Sequence, residues 1–332
     1  MRVDEIAARL ASQGLVFHWI PDAAGRPMRA TLTGGALELS VDAAIVIPDV
    51  HLGIGRADSF QETDPARVTR LAGFLNALAH VRDSLPTGRF AAVQLGDFYD
   101  LMRTTAPGAP FDTRLDIVFG AYPGIVQAAK ALPLLHCIGN HDHEFFAHRA
   151  ELPARGINAH VVRALGGGVL AFHGNDFVSM ADVEGNASYQ SWLLSLVQSV
   201  VTIPVLGPAI EALQRYFDDS LQDPIFGDLG NTSLAWPAPP PAATFPAGWS
   251  APWVVRDGAA QLGQPLLGWE QDVGQQVTLA IVGHSHRPGI GWTQIGFNRR
   301  VPIVDVGSWT YGRTNFAVVG TDGIGVAQLG PG

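Results

Sequence analysis

The 332-residue chain is 47% hydrophobic and 15% charged, a composition that excludes a disordered protein and fits one large or two small globular domains. Its formal net charge of -9 disfavours nucleic acid as a partner, because an acidic surface repels a phosphate backbone. Cys137 is the single cysteine, which excludes an intramolecular disulfide and a thiolate metal cluster, and we expect it to be a buried strand residue.

The first forty residues carry no chemical motif. Apolar residues at positions 3, 6, 7 and 10 share one helix face, so a helix is predicted over 3–12. Short strands are predicted over 15–20 and 28–39, with a hairpin turn at Gly34-Gly35. We interpret residues 1–40 as an N-terminal extension packed on a main domain of residues 41–332. The start of the chain lacks the apolar segment of a signal peptide, and we expect a cytoplasmic location.

From residue 41 onward, short apolar runs alternate with helical stretches. Buried strands are predicted over 44–47, 91–95, 134–138 and 168–172, with helices over 66–82 and 117–131. This alternation is typical of an α/β fold with a largely parallel sheet. Later strands are predicted over 277–282, 302–306, 316–319 and 324–328, and their closeness in sequence favours antiparallel pairing.

The stretch between the strands that end at Phe172 and Val282 is too long for a plain loop, and we interpret about 177–275 as an insertion. Its first half is apolar and predicted to be helical, but Pro204 and Pro208 interrupt the uncharged run over 185–210, so no transmembrane segment is expected. Its second half holds six prolines and three tryptophans over 236–253. A surface insertion, a lid over the site and a homodimer interface all remain open.

Polar residues follow each buried strand of the main domain. In open α/β sheets ligands bind at the carboxyl ends of the strands, so these clusters point to one site. The candidates, in chain order, are Asp49, His51, Asp97, Asp100, Asn140, His141, His173, His284 and His286.

The residue types and their spacing indicate a metal centre. Asp49 and His51 stand two apart at a strand end and can grip one ion, and His284 and His286 repeat that spacing. Nitrogen and oxygen donors without a thiolate suit Mn, Fe, Zn or Co, and we expect two divalent ions, with Mn²⁺ favoured. Asp97 could bridge ions about 3.5–4 Å apart, and a metal-bridging hydroxide would then attack phosphorus in line.

The ordered blocks D-x-H, G-D-x-x-D, G-N-H-D, a histidine after a strand and G-H-x-H resemble the calcineurin-like metallophosphoesterase superfamily over roughly residues 43–320. The resemblance implies a four-layer αββα sandwich with a binuclear centre, to which the insertion would be added. It implies that the first metal is held by Asp49, His51, Asp97 and His286. It assigns the second metal to Asp97, Asn140, His173 and His284. It also implies that His141 protonates the leaving oxygen or stabilises its charge, and that Asp100 orients His141.

A narrower resemblance is to the UDP-2,3-diacylglucosamine pyrophosphatase branch. It is carried by residues 283–288, by residues 306–309 and by a helical insertion between His173 and His284. This chain departs from that branch at His141, where arginine is usual, and at Asn175, where aspartate is usual. The first forty residues and the longer, proline-rich insertion are further departures. The branch's general architecture is therefore carried over, and its substrate is not.

Several nearby residues have a second interpretation. Asp142 could cap the following helix, and Tyr99, Arg103 and Arg56 could contact either substrate or the surrounding protein. The remaining histidines lack metal-binding partners in the sequence and are predicted to be surface or packing residues: His18, His80, His136, His143, His148 and His160.

The sequence favours a hydrolase of phosphomonoester, phosphodiester or pyrophosphate bonds in a small molecule. A protein Ser/Thr phosphatase is disfavoured, because the Arg-Gly of that family is missing after Asp100 and Asp142 stands in place of its usual Glu. A DNA nuclease is disfavoured by the acidic charge. The alternative of a different class is a non-catalytic scaffold with the same fold. Retention of all the predicted ligands together with His141 argues against that alternative.

Overall fold

The computed structural model describes residues 1–21, 25–31, 36–54, 65–101, 109–139, 141–174, 266–284, 288–295, 299–310 and 313–330. Two of the predicted metal ligands, Asn140 and His286, lie outside the described residues. So does the predicted insertion as far as residue 265, together with Arg56 and Arg103.

The described strands form two mixed sheets. In chain order they are β1 (Phe17–Trp19), β2 (Arg29–Thr31), β3 (Ala43–Ile47), β4 (Phe90–Gln94), β5 (Leu135–Cys137), β6 (Asn158–His160), β7 (Val162–Ala164), β8 (Val169–Phe172), β9 (Leu279–Val282), β10 (Pro288–Ile295), β11 (Arg299–Val306), β12 (Asn315–Gly320) and β13 (Gly323–Leu329). The first sheet has the order β1-β13-β12-β3-β4-β5-β6, with β2 also paired to β13. The second has the order β10-β11-β9-β8-β7.

Both sheets contain neighbouring parallel strands, which extend from β3 to the edge strand β6 in the first sheet and lie at the centre of the second. Strands β3, β4, β5 and β6 are mutually parallel, which confirms the parallel arrangement predicted for this part of the chain. Strands β12 and β13 are antiparallel, also as predicted. The antiparallel prediction is wrong for β9, which pairs in parallel with β8 and with β11. An apolar run of this kind marks burial on both faces but carries no information about direction.

The described helices are α1 (Val3–Ser12), α2 (Pro65–Asp83), α3 (Phe111–Ala121), α4 (Pro123–Ala131) and a short helix, α5, over residues 266–273. The predictions over 3–12 and 66–82 are confirmed. The single helix predicted over 117–131 is wrong, because two helices meet at Tyr122, which has φ -123° and ψ 48°. Pro123 disfavours a helical conformation in the residue before it and begins α4 without a backbone donor. Among the described residues, no helix combines the length and apolar character needed to cross a membrane.

The residues predicted as an N-terminal extension contribute to the first sheet. Strands β1 and β2 both pair with β13, and α1 buries Val3, Ile6 and Leu10 in the core that β3 also lines. The strand predicted over 28–39 is observed as β2 alone, and residues 32–35, which include the predicted turn, are not described.

Alternate residues of β3 enter two different cores. Ala43, Ile45 and Ile47 pack with the helices, whereas Ala44 and Val46 share a core with residues of the second sheet. Cys137 on β5 donates from Sγ to the carbonyl of Ala171 on β8 at 3.4 Å, and burial raises the pKa of this thiol to about 12. The prediction of a buried strand cysteine is therefore confirmed, as is the α/β class.

Candidate metal centre

The carboxyl ends of strands from both sheets carry the candidate ligands. Strands β3, β4 and β5 of the first sheet lead into Asp49 and His51, into Asp97 and Asp100, and into His141. Strands β8 and β9 of the second sheet lead into His173 and His284. His284 is partly exposed, and each of the other six residues is at least 93% buried. Seven of the nine predicted site residues are thus described, and they lie together.

Asp97 stands between two groups of histidines. Its Oδ2 lies 3.2 Å from Nε2 of His173 and 3.8 Å from Nε2 of His51. Its Oδ1 accepts a hydrogen bond of 2.7 Å from the backbone N–H of His141. Among the described residues, donor atoms within 4.8 Å of one another form two groups, one of His51, Asp97 and His141 and one of Asp97, His173 and His284. Asp97 is the member that both groups share.

The two groups match the expected ligand sets unequally. The second contains Asp97, His173 and His284, three of the four residues that the resemblance assigns to the second metal. The first contains His51 and Asp97 as expected, together with His141, for which a proton-transfer role was expected instead. Asp49 contacts the second group, since both of its carboxylate oxygens accept from the backbone N–H of His284, at 3.0 and 3.2 Å.

The ring of His173 is held in one orientation by a backbone carbonyl. Nδ1 lies 3.1 Å from the carbonyl oxygen of Leu95, so we infer that Nδ1 carries a hydrogen. Nε2 then faces Oδ2 of Asp97 at 3.2 Å and Nδ1 of His284 at 3.1 Å. A lone pair on Nε2 would repel a carboxylate oxygen at this distance, so a proton or a metal ion is needed between them.

Asp100 contacts the other two histidines. Its Oδ1 lies 3.1 Å from Nδ1 of His141, and its Oδ2 lies 3.6 Å from Nδ1 of His51. The two imidazole rings meet edge to face with centroids 4.6 Å apart. The contact predicted between Asp100 and His141 is therefore present, and the same carboxylate also approaches His51.

The buried charges shift one another's pKa values. Burial alone would raise the pKa of Asp97, but the charges of His173, His141 and His51 hold it well below its usual range. Burial alone would lower the pKa of His173, but Asp97 and Asp49 outweigh burial and raise it to about 10. Without metal, a proton on His173 offsets the negative charge of Asp97 and Asp49.

The backbone at three candidate ligands is strained. His51, Asp97 and His284 have φ of 58°, 55° and 69°, in the left-handed region that residues other than glycine rarely adopt. Such conformations persist where the surrounding structure enforces them, and they cluster at functional sites. Each of the three lies only a few residues beyond the end of its strand, where the turn redirects the side chain.

Two glycines allow the loops to approach each other. A Cβ at Gly139 would lie 2.1 Å from Oδ1 of Asp97, and one at Gly283 would lie 2.3 Å from Oδ1 of Asp49. The G-N-H-D and G-H-x-H blocks therefore need glycine at their first position, because a candidate ligand from a neighbouring loop occupies the space that a Cβ would fill.

Asp142 joins two of the ligand-bearing loops. Its fully buried carboxylate accepts from the backbone N–H of Gly139 at 2.6 Å and of Phe98 at 3.2 Å. It therefore binds two amides that precede it rather than capping the short 3₁₀ helix His143–Phe145, and the capping interpretation is wrong. Burial, and then the charge of Asp97, raise the pKa of Asp142 to about 7.

A second segment of the sequence supports Asp49. The backbone N–H of Trp309 donates to the carbonyl of Asp49 at 2.7 Å, and Ser308 forms a parallel bridge with Asp49. The buried Arg67 on α2 donates in turn to the carbonyl of Trp309 at 2.7 Å. Residues 306–309, which are part of the narrower resemblance, thus lie at the end of β11 and contact the site.

Of the neighbouring residues with open interpretations, Tyr99 packs inside the protein. Tyr99 is 2% exposed and stacks on His136, which also contacts the ring of Phe98. Burial lowers the pKa of His136 to about 3, so this histidine is neutral. His148 stacks on Phe111 with centroids 4.1 Å apart. Within the described residues, the donor groups include none of the histidines that were predicted to be surface or packing residues.

The donor chemistry fits divalent transition metals. Every donor atom is an imidazole nitrogen or a carboxylate oxygen, the set that suits Mn, Fe, Zn or Co. The contact between Nδ1 of His173 and the Leu95 carbonyl is the outer contact that metal-binding histidines usually make. Nε2 of His173 also lies so close to Oδ2 of Asp97 and Nδ1 of His284 that a proton or a metal ion must lie between these atoms.

Comparison with known proteins adds no relative, since no protein-family model and no curated protein matches this chain.

Proposed function

We propose that this chain is a binuclear metallophosphoesterase of the calcineurin-like superfamily, acting on phosphoester or pyrophosphate bonds of a small molecule. The observation that carries the proposal is the position of Asp97 as the shared member of two His/Asp donor groups. A carboxylate in that position can neutralise and hold two adjacent dications, the arrangement that phosphoryl-transfer enzymes with two metals use.

The packing of the two sheets supports the fold that this family would require. Residues of β3 and β8 share one core, and Ile45 on the opposite face of β3 packs with α2, α3 and α4. On the far side, Leu170 and Ile303 of the second sheet pack with Leu266 on α5. We propose that these elements form the four-layer αββα sandwich.

The proposed ligand sets keep the assignments given by the resemblance. Asp49, His51 and Asp97 would hold one ion with His286, while Asp97, His173 and His284 would hold the other with Asn140. Ions bound there would polarise the phosphoryl oxygens and lower the pKa of an attacking water to about 7. The buried carboxylates around them exclude bulk solvent and strengthen these electrostatic effects.

The pair of Asp100 and His141 would assist departure of the leaving group. With Nδ1 of His141 engaged by Asp100 at 3.1 Å, a proton passed to the leaving oxygen would come from Nε2. The carboxylate fixes the orientation of the ring. In this role His141 acts on substrate, although it is close enough to Asp97 to be tested as a metal ligand.

Metal content and turnover together test the proposal. The metal-free protein is titrated with Mn²⁺, the bound ions are counted, and the loaded protein is assayed against p-nitrophenyl phosphate, bis(p-nitrophenyl) phosphate, a nucleotide-sugar pyrophosphate and a cyclic nucleotide. We expect two ions per chain and metal-dependent hydrolysis of at least one substrate. Two ions without turnover would favour the scaffold alternative, and the absence of metal binding would contradict the proposal.

A further inference from the structure

Gln94 is a polar residue inside an otherwise apolar strand. It is the last residue of β4, between Val93 and Leu95, and its side chain is fully buried. Burying an amide without hydrogen bonds costs about 1–3 kcal/mol in proteins, so a residue chosen only for packing at this position would be apolar. The contacts of this amide show what it does.

The Gln94 side chain binds both sides of one glycine. Its Oε1 accepts from the backbone N–H of Gly96 at 3.0 Å, and its Nε2 donates to the carbonyl oxygen of the same residue. Gly96 has φ 107°, and a Cβ there would lie 2.8 Å from Nδ1 of His173 and from the backbone nitrogen of Gly139. The amide thus fixes the strained backbone turn at the centre of the site.

The two peptide units that Gln94 holds lead to two different candidate ligands. The N–H of Gly96 belongs to the peptide whose carbonyl, that of Leu95, lies 3.1 Å from Nδ1 of His173. The carbonyl of Gly96 belongs to the peptide that begins Asp97, the residue shared by both donor groups. A rotation of either peptide would move one of these side chains.

We propose that Gln94 is a positioning residue that acts through Gly96 on both Asp97 and His173. Both hydrogen bonds of its side chain go to the backbone of Gly96, and it takes no part in the chemistry. The consequence for metal binding rests on the proposed function, whereas the effect on the two peptides does not. Outer contacts of this kind affect metal affinity by about 10–100-fold when they are removed.

Two substitutions separate hydrogen bonding from volume. Gln94→Met keeps the length of the side chain and removes both hydrogen bonds. Gln94→Glu keeps the shape, and when protonated it can again accept from the Gly96 N–H and donate to the Gly96 carbonyl. The matched control is Thr314→Val, which removes a buried hydrogen bond of 3.1 Å to the carbonyl of Leu329 and contacts no candidate ligand.

The first measurement uses the metal-free protein. We expect Gln94→Met to lose hydrogen-exchange protection at the Gly96 amide and to change the NMR signals of the His173 ring nitrogens, and Thr314→Val to do neither. Unchanged protection and ring signals in Gln94→Met would overturn the proposal, whether or not the native protein binds metal. A native protein that binds no Mn²⁺ would overturn the proposed function and leave this readout intact.

The second measurement is the Mn²⁺ dissociation constant. We expect Gln94→Met to weaken it by about 10–100-fold, with the Thr314→Val value equal to that of the native protein. The ratio of the Gln94→Glu constant to the native constant should fall toward one as the pH is lowered from about 8 to about 6, since a buried glutamate protonates in this range. Native affinity in Gln94→Met, or equal weakening by Thr314→Val, would overturn the proposal. If Gln94→Met does not fold, a Gln94→Glu ratio that is independent of pH would overturn it.

Discussion

Binding of Mn²⁺ should release a proton from His173. The two carboxylates beside this ring, Asp97 and Asp49, overcome the effect of burial and raise its pKa to about 10 in the metal-free protein. A metal ligand needs the lone pair on Nε2, so the proton shared with Asp97 must leave when the ion enters. The metal and the proton therefore compete for the same atom.

The expected magnitude follows from the distance between the working pH and that pKa. At about pH 8, two units below a pKa of about 10, His173 is almost fully protonated, and metal binding should release about one proton from it per chain. The affinity for Mn²⁺ should rise by about tenfold per pH unit until the pKa is reached, provided that no other ligand titrates in this range.

The same shift predicts how the stability of the metal-free protein depends on pH. The folded pKa of His173 lies above its usual value of 6.5, so the protonated ring contributes its full stabilisation below about pH 6.5 and loses it as the pH rises toward about 10. Saturating Mn²⁺ should weaken this dependence, because the ion replaces the proton. Thermal unfolding across the range, with and without metal, measures both effects.

Calorimetric titration in buffers of different ionisation enthalpy counts the protons released. A matched control is His136→Phe, which removes a buried histidine whose pKa of about 3 keeps it neutral, and this variant should release as many protons as the native protein. A binding enthalpy at about pH 8 that is the same in every buffer would refute the reasoning, since it would mean that no proton leaves.

Four substitutions test individual contacts of the site, with bound metal and turnover measured for each. Asp97→Asn should reduce metal affinity or rate by about 10²-fold or more, and near-native turnover with two ions bound would contradict the bridging role. His141→Ala should keep both ions and lower kcat by about 10²–10⁴-fold, with a smaller loss for p-nitrophenyl esters, whereas loss of metal would identify a ligand. Gly139→Ala should abolish binding of the pair, since its Cβ would lie 2.1 Å from Oδ1 of Asp97, and retention of both ions would refute that clash. Asp142→Asn removes a carboxyl whose pKa of about 7 makes the native protein lose stability as the pH rises from about 4 to about 7, so the variant should lose that part of the pH dependence, which an unchanged dependence of the denaturation midpoint on pH would contradict.

The sequence predicted the central strands and the location of the candidate site. Strand β3 is an uninterrupted apolar run followed by Pro48 and Asp49, so both its burial and its end are visible in the sequence. The sheet to which β8 belongs is not visible in this way. Its apolar run resembles that of β5, and only long-range pairing with β9 places it in the second sheet. Pro123 indicates a helix boundary at Tyr122, and the single helix predicted over 117–131 does not take it into account.

The supporting residues of the site were harder to predict than the candidate ligands. Asp97 and His173 are recognised by residue type and by position after a strand. Asp142 and Gln94 act as partners for backbone amides that fold close to them, and their roles depend on distances that spacing in sequence does not set. The sequence does show that Gln94 is a polar residue within the otherwise apolar run over 91–95, and a buried polar residue at such a position needs hydrogen-bond partners.

The electrostatics of the site give a reason why a metal centre is the function it supports best. Three buried carboxylates, Asp49, Asp97 and Asp100, face histidines. The raised pKa of His173 shows that a proton on this ring offsets part of their negative charge. Without metal, the proton on Nε2 of His173 faces Oδ2 of Asp97 at 3.2 Å and Nδ1 of His284 at 3.1 Å. A divalent ion carries more positive charge than this proton and can bind the carboxylate and both imidazole nitrogens at once. The same three side chains that share a proton in the metal-free protein are therefore a suitable set of ligands for a metal ion.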